Sequence, residues 1–148
     1  MSQENEKLVL QVFSVIEQRD AQHPDPRPLL DLCAPEVEFH WPASLPYGGT
    51  QRAFTRSGPS WGQVWGPLQP TEAERRMDPR AVASSEDEVV VLWRQRGVSR
   101  AGDRFDGEVL GLYRILEGKL ARAQMFYFDT VALVNFLGRA NGTLRSWF

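Results

Sequence analysis

FDGEVLGLYRILEGKLARAQMFYFD, running from Phe105 to Asp129, is the stretch whose reading decides the fold. Two β-rich arms flank Glu117-Gly118-Lys119. Glycine tolerates the positive φ that a tight hairpin turn needs, so the stretch predicts two paired antiparallel strands. The second arm closes on an aromatic cluster and then a single carboxylate, Asp129. The fold is expected to close around this hairpin, with its inner face lining a pocket.

Upstream of the hairpin, residues 88 to 98 place Val89, Val91 and Trp93 on one face of a third strand, and Ser99 to Asp103 supply the turn. Residues 72 to 84 form a weaker strand candidate. Downstream, Val131, Leu133, Val134 and Leu137 mark a short final helix from Thr130, with Asp129 or Thr130 placed to cap it. At the other end of the chain, Leu8, Val9, Val12, Phe13 and Ile16 recur at helical spacing and predict an amphipathic helix over residues 4 to 19. The prolines from Pro24 to Pro28 break it, and Pro28 opens a short second helix through Leu32 that Pro35 stops. Val37 to Trp41 alternates as a half-buried strand does. Residues 42 to 60 read as a long loop, and Trp61, Val64, Trp65 and Leu68 as a short helix laying two indoles on one face.

Helices segregated to one side of antiparallel strands make an α+β domain. The order predicts a cone-shaped α+β barrel: a curved antiparallel sheet wrapped around the long first helix, open at a mouth suited to a small molecule. A chain of 148 residues is expected to form a single domain over residues 1–148. Seventeen basic and nineteen acidic side chains leave a net charge of −2, which gives no footprint for nucleic acid or an anionic membrane. The run Val89 to Trp93 is far too short to span a bilayer. A lone cysteine, Cys33, and a start without a signal-peptide pattern fit a reducing cytoplasm, with Cys33 as a small core residue. Two histidines and one cysteine make no closed metal site, and no glycine loop is placed to cradle phosphate, so neither a metal nor a nucleotide cofactor is expected.

Several motifs resemble the nuclear transport factor 2-like superfamily, which includes ketosteroid isomerases, SnoaL-like polyketide cyclases and limonene epoxide hydrolases. The resemblance rests on Val37-Glu38-Phe39-His40-Trp41-Pro42, Gly48-Gly49-Thr50, Tyr113-Arg114-Ile115 with Gly118-Lys119-Leu120, Phe126-Tyr127-Phe128-Asp129 and Phe136-Leu137-Gly138. It covers almost the whole chain and implies the cone just described. In the isomerases an aspartate ends the first strand as the base, and His40 takes that place here. Their oxyanion donors are absent, since the helix offers Val12 and Phe13 and the aspartic-acid position falls at Gly111. In the cyclases the last strand ends in a catalytic aspartate, which Asp129 resembles, although it sits one residue late and needs a bulge to keep its facing. The arginine of the epoxide hydrolases has a counterpart in Arg94-Gln95-Arg96, but the first acid does not.

Two functions remain open on this reading. One is a cofactor-independent isomerase, cyclase, dehydratase or hydrolase acting on an apolar cyclic compound, with His40 and Asp129 moving protons. The other is a non-catalytic ligand-binding or dimerisation module, in which His40 is held by its neighbours and Asp129 caps the last helix. In both, Trp41, Trp61, Trp65, Phe126 and Phe128 are the expected apolar lining, and the outer face of the sheet is the expected homodimer contact.

Overall fold

A computed structural model describes residues 2–18, 27–52 and 67–140. Its elements run α1 (Ser2–Glu17), α2 (Arg27–Leu30), β1 (Cys33–Trp41), β2 (Gly49–Arg52), α3 (Glu72–Arg75), β3 (Arg80–Ser84), β4 (Glu88–Val98), β5 (Arg104–Leu116), β6 (Lys119–Tyr127) and α4 (Thr130–Ala140). They build the expected α+β fold. Six strands form one curved sheet in the order β2-β1-β6-β5-β4-β3. All neighbours are antiparallel except β1 and β6, which run parallel.

The β5–β6 hairpin closes on Leu116 paired with Lys119. Glu117 and Gly118 between them have φ of 52° and 74°, the left-handed pair that suits the twist of two antiparallel strands. Just beyond, Ile115 faces Leu120 while Arg114 faces Arg122, so Ala121 is an extra residue in β6. Leu120 and Ala123 consequently both point inward although they are three residues apart.

One face of the sheet is covered. Val9, Val12 and Phe13 of α1 are buried on it. The Phe13 ring meets Trp93 of β4 and Tyr113 of β5 edge-on, each at a centroid distance of 5.7 Å. Side-chain bonds fix α1 along its length: Asn5 donates to the Glu86 carbonyl, Glu6 accepts from Ser84 Oγ, and Glu17 accepts from the Met77 N–H, each at 2.7 Å. At the far end of β4, α4 sets Phe136 against Gly97 and Phe105.

Four sequence expectations change. Residues 72 to 84 divide into the single turn α3 and the strand β3. The strand expected from Val37 begins at Cys33, with Pro35 falling where its register with β6 is interrupted, since proline has no N–H to give. The loop of residues 42 to 60 contains the edge strand β2. Leu68 is not helical; it bridges to Gly97, and Gln69 N–H donates to the Arg96 carbonyl. Residues 61 to 66, and with them the indoles of Trp61 and Trp65, lie outside the described residues.

Gly97 is packed against backbone and a ring. A Cβ there would stand 2.6 Å from the Pro67 carbonyl oxygen and 2.9 Å from Phe136 Cε2. Gly97→Ala is therefore expected to destabilise the fold by about 1–3 kcal/mol through overpacking, measured as a lowered midpoint in urea with an unchanged slope.

Candidate functional site

Strand alternation sorts the candidate residues onto two faces. On β4 the inward residues are Val89, Val91, Trp93, Gln95 and Gly97. Trp93 packs under α1 and Gly97 under α4, so Gln95 lies at the seam between the two helices. Its side chain is fully buried, with the Tyr127 hydroxyl as its polar neighbour.

Beside Gln95 lies the hydroxyl of Tyr127, at the end of β6. That hydroxyl shares a 2.9 Å hydrogen bond with Tyr47 from the turn after β1. The Tyr47 ring meets Trp41 edge-on at 5.3 Å, which brings Trp41 into the same inner wall. Burial, then the neighbouring Tyr47, pushes the Tyr127 phenol well above its ordinary range. Burial pushes Tyr113 the same way, opposed by the Trp93 indole beside it. Tyr113 folds its ring over the space left by Gly111, and its hydroxyl reaches Met125 Sδ at 3.7 Å. Both phenols are therefore protonated near neutral pH and can donate hydrogen bonds.

The interior so described is neutral. Its buried polar residues are Gln69, Gln95 and Ser99, together with the tyrosine hydroxyls, and no Asp, Glu, His, Lys or Arg is among the described buried residues. No group of three or more His, Cys, Asp or Glu is placed to hold a metal ion among the described residues. No described helix is long and apolar enough to cross a membrane.

His40 lies on the other face. Alternation that turns Trp41 inward turns His40 outward, where its Nε2 meets Glu38 Oε1 at 2.9 Å and its Nδ1 meets Thr50 Oγ1 at 3.0 Å. Both ring nitrogens are thus engaged away from the interior. The His40 hydrogen bond, with Arg52 also paired to the same carboxylate, holds Glu38 below the usual carboxylate range.

Asp129 is exposed beyond the end of β6, and its Oδ1 accepts the Ala132 N–H at 3.0 Å as the N-cap of α4. The bulge that its facing required is present at Ala121, but β6 ends at Tyr127 before that facing can matter. Phe126 and Phe128 do not line the interior. Phe126 points outward by alternation, and Phe128, past the strand end, is 87% exposed. Arg94 and Arg96 share the outer face and pair with Asp106, and Glu108 is also exposed. His40 and Asp129 are therefore not brought together inside the cone, whereas Trp41 is brought to Tyr47, whose hydroxyl bonds that of Tyr127.

Sequence reading missed Gln95. Its arginine neighbours make it look like part of a solvated run. The signal was the continued period of two from Val89 through Trp93.

The SnoaL-like domain matches residues 10–123 of the chain, which accordingly belongs to that family. No curated protein sequence matches it. Among solved structures it is similar to TerC co-crystallised with polyporic acid, at 22% identity and a TM-score of 0.70, covering 90% of this chain and 98% of that one. A nuclear transport factor 2-like protein of unknown function from Burkholderia pseudomallei K96243 gives 19% identity and a TM-score of 0.70, covering 93% and 98%. A protein from Jannaschia sp. CCS1 described as a SnoaL-like polyketide cyclase gives 15% and 0.67, covering 95% and 94%. At these identities the likeness shows the fold.

The capping geometry of Asp129 has a measurable consequence. Asp129→Ala should cost about 1 kcal/mol of stability, while Asp129→Ser, which restores a capping oxygen, should recover most of it in the same denaturation assay.

Proposed function

We propose that the protein binds an uncharged, largely apolar cyclic small molecule inside the cone. The observation that carries this reading is the neutral polar group of Gln95, Tyr127 and Tyr47, set in an otherwise apolar wall at the α1–α4 seam. Apolar sites with a few convergent polar groups are the usual form of small-molecule sites. The similar TerC structure, solved with polyporic acid, supports small-molecule binding in this fold. Binding without proton transfer is favoured over catalysis by His40 and Asp129, because the first is engaged on the outer face and the second is bound to the start of α4.

Native mass spectrometry of the protein purified under mild conditions tests this, with a retained organic molecule as the expected result. His40→Gln should leave the retained mass and its occupancy unchanged. Loss of the molecule in His40→Gln, with the fold intact, would return His40 to the site.

A homodimer through the outer face forms the second part of the proposal. Register places Leu92, Leu110 and Phe126 side by side across β4, β5 and β6. Leu110 and Phe126 are 39% and 47% exposed, and contiguous apolar surface of this kind marks an interaction face. Sedimentation at twice the 16.8 kDa chain mass is expected. Phe126→Asp should shift it to the single mass, since a charge at the centre of such a patch would be buried without a partner.

A further inference from the structure

The outer face of the sheet carries its charges in a definite order. Register sets outward residues in rows across β4, β5 and β6. Leu92, Leu110 and Phe126 form one central row, and Val90, Leu112 and Gln124 the other. Arg94, Glu108 and Phe128 flank them on one side, and Glu88, Arg114 and Arg122 on the other. The charged rows are opposite in sign, strand by strand: Arg94 against Glu88 on β4, and Glu108 against Arg114 on β5. Arg94 stands opposite Glu108 within the sheet, yet its guanidinium bonds Asp106. Arg114 stands opposite Glu88, yet it lies 3.7 Å from Asp87. Glu88 and Glu108 are left without an ion-pair partner among the described residues.

We propose that two copies meet antiparallel through this face, about a two-fold axis crossing the strands at the level of Gly111. The proposal rests on the homodimer reading above and gives it a geometry. In a two-fold contact, residue i meets j and j meets i. An axis between positions 110 and 112 lays Leu110 on the partner's Leu112, and Leu92 on the partner's Val90. Further out, Glu108 meets the partner's Arg114 and Arg94 meets the partner's Glu88. The exposed Phe128 ring meets the partner's Arg122, a favourable seat for a guanidinium. Every contact occurs twice, and an apolar centre is bounded by opposite charges, as in specific interfaces. Axes along the strands do worse. One on β5 sets Glu108 against the partner's Glu108, and Arg114 against the partner's Arg114. One between β5 and β6 sets Arg114 against the partner's Arg122. One between β4 and β5 joins opposite charges but lays Phe126 on the partner's Arg80, at the rim.

Sedimentation equilibrium of the full chain and of charge-exchanged variants tests the orientation. Glu108→Arg and Arg114→Glu are each expected to weaken self-association about 100-fold, about tenfold for each of two symmetry-related contacts turned repulsive. The double exchange, Glu108→Arg with Arg114→Glu, should restore association to within a few-fold of the original chain. It does so although it sets like charges side by side within each subunit, beside Arg94 and beside Glu88. An axis between β4 and β5 gives no such rescue, because both exchanged positions then meet like charges. Circular dichroism checks that each variant is folded. The same exchange on β4, Glu88→Arg with Arg94→Glu, repeats the test at the second contact. A dimer that neither single exchange weakens, or that the double exchange does not recover, would overturn the antiparallel orientation and leave the homodimer standing. An original chain that sediments at the single mass would overturn both.

Discussion

Everything in this molecule depends on the two-residue period of its strands and on where that period is interrupted. The shared register of β4, β5 and β6 puts Trp93, Val109 and Tyr127 in one inward row and Leu92, Leu110 and Phe126 in the outward row beside it. The extra residue at Ala121 reconciles the inward Leu120, near the hairpin turn, with the inward Ala123, Met125 and Tyr127 further along. Without it, one of those two sets would face solvent. A single inserted residue thus decides whether tyrosine or phenylalanine meets the helices.

The interior gains its character from what it lacks as much as from what it holds. Among the described residues its buried polar atoms are amides, hydroxyls and indoles, none of which carries a charge near neutral pH. Burial reinforces this, since it raises the phenols of Tyr113 and Tyr127 and keeps their protons in place. The Cys33 thiol, pushed up to about 12 chiefly by burial, is likewise kept protonated. Charge has been sorted to the outer face, where Arg94 and Arg96 share Asp106, and Glu38 ties His40 to Arg52.

Much of this was legible in the sequence, and the remainder was hidden for physical reasons. The hairpin, β4, α1 and α4 carry strong periods and turn residues, so their places followed directly. β2 did not, because Gly49-Thr50-Gln51-Arg52 is an edge strand with no apolar face to reveal it. α3 did not, because Glu72-Ala73-Glu74-Arg75 buries nothing. The candidate site was half legible. Trp41 is buried, and strand alternation from it alone implied His40 outside, one residue away on the strand. Asp129 was ambiguous by nature, since the residue that ends a strand and the residue that caps a helix have the same address. Gln95 was concealed by flanking arginines whose charges belong to the opposite face.

The parallel pairing of β1 with β6 has a consequence for how the molecule comes together. The β5–β6 hairpin joins near neighbours in sequence, but the Tyr47–Tyr127 bond spans 80 positions. Closing so long a segment surrenders chain entropy that the hairpin never has to give up. We therefore expect β1 to dock late, bringing Trp41 and Tyr47 with it, so that the proposed ligand site and the last seam of the fold are completed in one event. A bound molecule would then strengthen that seam most, and slower amide exchange along β1 and β6 is where the gain would be read.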